Sequence, residues 1–209
     1  MKSLEQLVEG FQRFRERHFA KDDALFHELV KQGQTPKVLV VACCDSRADP
    51  ALVLDCSPGD LFVIRNVANL VPPAETRDSY HGTTAALEFG VRILGVRHII
   101  VLGHAQCGGI RTLLEGSVAK DNSVISKWME IADAARKQVE QGLADEGKEA
   151  RHRACEQHAI LISLSNLMTY SWIRERVEHD WLTLHGWYFD MKHGQLLGYD
   201  ATARQFEAL

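Results

Sequence analysis

The sequence predicts an α/β protein: a mainly parallel central sheet flanked by helices, with an N-terminal helical arm and a C-terminal helical and strand extension. Two observations carry this prediction. Val38-Leu39-Val40-Val41-Ala42, Leu61-Phe62-Val63-Ile64 and Ile99-Ile100-Val101-Leu102 are short apolar runs that do not alternate with polar residues. Continuous runs of this length belong to parallel strands covered on both faces. Between the last two runs, Thr83 to Leu94 is apolar at helical spacing through Leu87, Val91 and Leu94, and it stops at Gly95. Strands alternating with helices build a parallel sheet.

The other elements follow in order. Residues 3–31 are expected to form a helical arm, with Leu4, Leu7, Val8, Phe11 and Phe14 on one face and Ser3 and Gln6 as a capping box. Its second part carries Leu25, Phe26, Leu29 and Val30 and ends at Gly33. Such an apolar face needs a surface to cover, in its own chain or in a neighbouring subunit. All five prolines lie at or before Pro73. From Asp121 to about Glu178 the chain is therefore expected to be strongly helical, with breaks at Gln141-Gly142 and Glu146-Gly147. Leu182 to Tyr199 returns to strand, turning at Met191-Lys192-His193-Gly194.

With 209 residues, 45% hydrophobic and 25% charged, the chain can bury a core without disulfide staples. It is expected to be a single domain over 1–209, divided into the arm (1–33) and an α/β core (34–209). A formal charge of −4 argues against a nucleic-acid partner or a polybasic membrane anchor. No apolar run reaches the ~20 residues that span a bilayer. The opening Lys2-Ser3-Leu4-Glu5-Gln6 does not read as a secretory leader, so the expected compartment is the cytosol. Five cysteines, at 43, 44, 56, 107 and 155, are expected there to be buried, metal-bound or catalytic rather than disulfide-bonded.

Cys43 follows the first strand and His104 the third, so both stand at carboxyl ends of parallel strands, where open α/β sheets build their sites. His104-Ala105-Gln106-Cys107 puts an imidazole and a thiol three residues apart. With one distant cysteine they make three borderline-soft donors, which suit zinc and leave its fourth position open for catalysis. Ordinary burial of the same residues is the competing reading on spacing alone. Alternation along an extended chain sends the Cys43 and Cys44 side chains to opposite sides, so only one can bind. Asp45 falls on the same side as Cys43, and Arg47 is placed to hold its carboxylate bidentately. A cysteine-phosphatase loop is excluded, because its arginine would have to stand where Asp49 or Pro50 is.

Cys43-Cys44-Asp45-Ser46-Arg47 together with Gly103-His104-Ala105-Gln106-Cys107-Gly108-Gly109 resembles the paired signature of the β-class carbonic anhydrases. The resemblance runs through Pro58 to Asn69 and on to Leu184-His185-Gly186-Trp187, roughly residues 30–190. It implies zinc, one ion per chain, on Cys43, His104 and Cys107, and a catalytic dyad of Asp45 and Arg47. It implies reversible hydration of carbon dioxide to bicarbonate and a proton, and a homodimer or higher oligomer with the pocket at a subunit interface. Asp45 would become a fourth ligand only in a closed state. Gln34, Phe62, Val67, Phe89 and Gly108 match substrate-pocket positions, with Gln34 as hydrogen-bond donor to bicarbonate. Hydrolysis of CS2 or COS on the same metal set, or a non-catalytic zinc-stabilised binding protein, are the rival readings.

The sequence departs from the family pattern at Cys44, where a small residue is usual, and at Phe89 and Ile93, where some members carry tyrosine and histidine. One branch of the family binds regulatory bicarbonate through Trp, Arg and Tyr. Here those positions are Val40, Arg65 and Phe189, so only Arg65 is left to attract an anion. The open branch is expected, with Asp45 paired to Arg47 rather than bound to metal.

Overall fold

The structure is a computed structural model that describes residues 2–19, 25–74, 81–116 and 123–209. The arm forms α1 (Leu4–Phe19) and α2 (Leu25–Gln32), neither of which buries a residue. Residues 20–24 of the predicted arm, and Asp121 at the start of the predicted helical stretch, lie outside the described residues. The capping box is present: the Ser3 N–H donates to Gln6 Oε1 at 2.9 Å, and the Gln6 N–H donates to Ser3 Oγ at 3.3 Å. Between the two helices Phe19 stacks on Phe26, while Phe14 meets Phe26 edge-on and Phe19 at a tilt.

β1 (Val38–Cys43) leads into the short α3 (Pro50–Val53), then β2 (Leu61–Asn66) and a 3-10 turn over Val67–Asn69. α4 (Gly82–Glu88) continues as a π-helical turn, Phe89–Ile93, into β3 (His98–His104). The run from β3 to the next strand holds α5 (Gly108–Leu114), α6 (Val124–Met129), α7 (Asp133–Gly142), α8 (Lys148–Leu167) and α9 (Ser171–Glu178). β4 (Thr183–Asp190), β5 (Gln195–Asp200) and β6 (Gln205–Ala208) close the chain.

One six-stranded sheet results, in the order β2-β1-β3-β4-β5-β6. β2, β1, β3 and β4 are parallel, whereas β5 and β6 are antiparallel additions. The chain leaves β1 for one neighbour and later returns as β3 on the other side. The switch point, where the crossovers diverge and leave a crevice, therefore lies between the carboxyl ends of β1 and β3.

Leu39, Val41, Ile99 and Val101 face a core completed by Leu87, Val91, Ile160, Leu167 and Ile173 from α4, the π turn, α8 and α9. Toward the carboxyl ends the same face continues into a second core around Cys43 and Cys107, closed by Ile110, Met129, Ala135 and Ala159. Glycine decides how closely α8 lies on the sheet. A Cβ at Gly103 would come within 2.6 Å of Ile160, and one at Gly186 within 3.0 Å. The opposite face, with Val40, Ala42, Ile100 and Leu102, keeps Val38, Leu61, Trp187, Phe189 and Leu196 only partly buried.

The three predicted strands are present, each longer by one to three residues than its apolar run. The helical prediction for Thr83–Leu94 holds for the first half. The Leu94 N–H then bonds Phe89 O, five residues back, and Gly90 within this turn lies hard against the Leu39 side chain. The breaks at Gly142 and Gly147 are confirmed, and a further one at Met168–Tyr170 separates α8 from α9. The Met191–Gly194 turn joins β4 to β5, and β6 extends the sheet beyond the predicted last strand.

Candidate active site and metal centre

Cys43 is the last residue of β1 and His104 the last of β3, so the switch point brings them together. Cys107 follows after one tight turn, with Gln106 at φ 58°, and stands immediately before α5. All three side chains are buried, and their donor atoms lie within 4.8 Å of one another. The two sulfurs are 4.0 Å apart. His104 Nδ1 bonds its neighbour's carbonyl, Ala105 O, at 2.9 Å. A carbonyl only accepts, so this bond places the ring proton on Nδ1 and leaves the Nε2 lone pair free. That Nε2 is buried and has no hydrogen-bond partner. A buried polar atom left without a partner is costly, and a metal ion between it and the two sulfurs would remove the cost.

The three donors also perturb one another's titration. The hydrogen bond from Cys107 pulls the Cys43 thiol down to about 4 against its burial. The same contact, with burial, pushes the Cys107 thiol up. A metal bound between the two sulfurs would take both as thiolates. Burial depresses the His104 pKa, but the nearby Cys43 sulfur outweighs it, helped by the Ala105 carbonyl and Asp45, so the net shift is upward.

Cys44 is exposed, as strand alternation requires. Asp45 and Arg47 form the predicted bidentate pair. Arg47 Nε donates to Oδ1 at 3.0 Å and Nη2 to Oδ2 at 2.8 Å, while the Arg47 backbone N–H adds a third bond at 2.9 Å. These bonds from Arg47 hold the Asp45 carboxyl well below the ordinary carboxylate range. Asp45 Oδ2 lies 4.0 Å from His104 Nε2, at the edge of the cluster. Arg47 is anchored from behind by Gln106 O at 3.1 Å.

Arg65 corrects an expectation. It is not left to attract an anion: its guanidinium donates to Cys43 O, Asp45 O and the Asp49 carboxylate at 3.1, 2.7 and 2.7 Å. It braces the chain that carries the first thiol and the dyad.

The pocket residues divide into two groups. Val67 and Gly108 lie at the cluster: a Cβ on Gly109 would meet Val67 Cγ1 at 2.9 Å. Phe62 and Phe89 stack on each other at 5.9 Å, but Phe62 is paired with Leu39, four residues before Cys43. At ~3.3 Å per residue Phe62 stands roughly 13 Å from Cys43, and Phe89 packs on it there. Gln34 is farther still, beside Gly33, Pro58 and Leu61. One chain therefore does not bring Gln34, Phe62 and Phe89 to its own cluster. Two residues with a direct hold on the site were missed from sequence, Glu156 and Tyr188. The Cys107 N–H donates to Glu156 Oε1 at 2.9 Å, and the Tyr188 hydroxyl donates to Oε2 at 2.8 Å. Burial raises the Glu156 pKa, opposed by these two bonds.

Three buried donors at an α/β switch point, with a locked carboxylate at the opening, form a group that could hold a metal ion and still leave a position for a reactant, as catalytic rather than structural metal sites do. Comparison with known proteins gives the family. Residues 38–196 match the family model described as carbonic anhydrase. The chain is 35% identical to beta carbonic anhydrase 3 of Arabidopsis thaliana, over 92% of its own length and 75% of that protein. It is 36% identical to a carbonic anhydrase of Synechocystis sp., over 98% of its length and 74% of that protein. The solved β-carbonic anhydrase CcaA superposes with a TM-score of 0.91 at 35% identity, covering 99% of this chain and 92% of that one. The tetrameric β-carbonic anhydrases of Sordaria macrospora include a chain with a TM-score of 0.72 at 29% identity, covering 93% and 92%. The protein belongs to the β-class carbonic anhydrases.

Proposed function

We propose that this chain catalyses the reversible hydration of carbon dioxide with one zinc ion held by Cys43, His104 and Cys107. The observation that carries the reading is the buried, unpartnered Nε2 of His104 facing two sulfurs 4.0 Å apart. Zinc–sulfur bonds of ~2.3 Å in a tetrahedron space two sulfurs about 3.8 Å apart, so the donor set suits this ion. Zinc supplies a Lewis acid that makes a water a competent nucleophile near neutral pH.

The protein groups do the rest. Asp45, kept ionised by Arg47, can only accept hydrogen bonds. It therefore orients the attacking water by taking a proton-bearing bond from it. Arg47 keeps both carboxylate oxygens engaged and so holds Asp45 off the metal position. Val67 provides an apolar wall on the cluster side, which suits a substrate with no charge to grip.

Gln34, Phe62 and Phe89 complete the pocket from a second copy of the chain. The arm supports this assembly, because α1 and α2 bury no residue in their own chain and leave Leu4, Leu7, Val8 and Phe11 exposed. No helix among the described residues is long and apolar enough to cross a membrane.

The test is stopped-flow CO2 hydration by the purified protein before and after zinc removal and restoration. Turnover that disappears with the metal and returns with zinc is the expected result. An active metal-free protein, or a zinc-loaded one without turnover, would overturn the reading.

A further inference from the structure

The peptide between Gln106 and Cys107 is held from both sides. Its carbonyl, Gln106 O, accepts from Arg47 Nη2 at 3.1 Å, and its N–H, on Cys107, donates to Glu156 Oε1 at 2.9 Å. In a trans peptide these groups point in opposite directions within the peptide plane, so Arg47 and Glu156 grip opposite edges of one rigid unit. The plane is not where an unaided chain would put it. Gln106 has φ 58°, in the left-handed region that residues with a Cβ avoid, and such conformations persist only where surroundings enforce them.

Glu156 is itself fixed. It is 4% exposed, on α8, and its second oxygen accepts from Tyr188, a residue of β4 that is 1% exposed. One turn further along α8, Ile160 sits against Gly103 and Gly186, whose missing side chains bring this part of the helix down onto β3 and β4. A buried carboxylate has thus been positioned by a helix, a strand and two glycines so that one oxygen meets the backbone of a metal-ligand residue.

We propose that Glu156, oriented by Tyr188, is a positioning residue for the reaction proposed above. By holding the Gln106–Cys107 peptide it aims the Cys107 sulfur at the metal and, through Gln106 O, sets the Arg47 guanidinium that locks Asp45. One side chain behind the site thereby couples the metal centre to the dyad in front of it. Glu156 touches neither metal nor substrate, and its effect passes through the peptide. This inference rests on the zinc-dependent reading.

The experiment compares the parent with Glu156→Gln, Glu156→Ala, Tyr188→Phe, Arg47→Ala and the Arg47→Ala/Glu156→Ala double variant. For each, zinc per chain, the rate of zinc release to a chromophoric chelator, urea stability, and kcat and KM per bound zinc are measured. Glu156→Gln keeps an oxygen for the Cys107 N–H and an amide for the Tyr188 oxygen, so it should stay close to the parent. Glu156→Ala should release zinc faster and lose kcat/KM by about 10–100-fold, the usual consequence of removing a group that orients a metal ligand. Tyr188→Phe should change both in the same direction by less. In the Arg47→Ala background, the loss of residual turnover caused by Glu156→Ala should shrink, because the part passed through Arg47 is already gone, while the faster zinc release persists.

Parental zinc release and kcat/KM in Glu156→Ala, with only urea stability lowered, would reduce Glu156 to a structural residue and overturn the proposal. If Glu156→Ala does not fold, the same outcome in Tyr188→Phe overturns it. Turnover losses that add fully to that of Arg47→Ala overturn the link through Gln106. A parent without zinc or turnover defeats the proposed function instead, so the two failures are distinguishable.

Discussion

At the scale of single residues, the site rests on parity. Cys43 ends a strand facing the cluster and Cys44 points to the opposite side, where it is exposed, which is why only one of the vicinal pair joins the group that could hold a metal. Replacing Cys43, His104 or Cys107 with alanine is therefore expected to remove metal and activity together, whereas Cys44→Ser keeps both. Metal analysis of the four variants checks this, and zinc retained in Cys43→Ala but lost in Cys44→Ser would reverse the assignment. Arg47→Ala should keep the metal, because Arg47 touches no donor atom, yet lower turnover by about 100-fold at neutral pH. Its loss frees a carboxylate whose oxygen already lies 4.0 Å from His104 Nε2, so Asp45 can swing into the position a reactant needs. Full turnover by this variant would take the pair out of the mechanism. The donors and the dyad were legible because each pair sits within a few residues of a strand end. Glu156 and Tyr188 were not, since they meet Cys107 from a distant helix and strand through bonds with no local signature.

At the scale of elements, hydrophobic periodicity located the buried strands and the main helices, and it failed where short-range geometry takes over. α3 is a single turn capped by Asp49, whose Oδ1 accepts from Ala51 N–H and Leu52 N–H, with Pro50 in the first turn. The Asp-Pro signal was present but too short to show as periodicity. β6 escaped because a four-residue edge strand, half of it polar, alternates too briefly. The Met191–Gly194 turn, by contrast, has a visible anchor in Asp190. Its side chain is buried, accepts from the Lys192 N–H and His193 N–H, and pairs with the His193 ring and Arg153. The His193 contact holds the Asp190 carboxyl below the ordinary range. The unfolded chain therefore binds the proton more readily than the folded one. This contribution is complete above the unfolded value of ~3.9 and is lost as pH falls from there through the lower folded value. Asp190→Asn should lower stability at pH 6 by about 1.5–3 kcal/mol, typical of hydrogen bonds to a charged group. It should also flatten the acid limb, so the gap to the parent narrows between pH 4 and 3. Urea unfolding at pH 6, 4 and 3 measures both, and a constant gap would assign the anchor to shape rather than charge.

At the scale of the whole molecule, the sequence motifs and the single chain differ in what they bring together. Gln34, Phe62 and Phe89 match pocket positions by resemblance, yet the register of β1 with β2 places Phe62 roughly 13 Å from Cys43, at ~3.3 Å per residue, and Gln34 beyond it. Linear motifs cannot show this separation, because they carry no information about which copy of a residue faces which metal. Phe89 is 43% exposed and Ile93 69% exposed beside it, an apolar edge consistent with a partner's approach. If each pocket is made of one chain's metal cluster and its partner's Gln34, two inactive variants should complement each other. Cys43→Ala lacks a metal site but presents an intact Gln34. Gln34→Ala presents a damaged pocket but an intact metal cluster. In a mixed dimer the Gln34→Ala metal faces the Cys43→Ala pocket and makes one complete site, while the other site carries both lesions. Random pairing of equal amounts makes half the dimers mixed with one good site of two, so about a quarter of parental activity per chain should reappear. Co-expression with two affinity tags isolates the mixed species, in which half the sites should turn over at the parental rate. Activity no greater than the average of the two homodimers would place Gln34 in its own chain's pocket, and the surface that α1 and α2 cover would then lie apart from the chemistry.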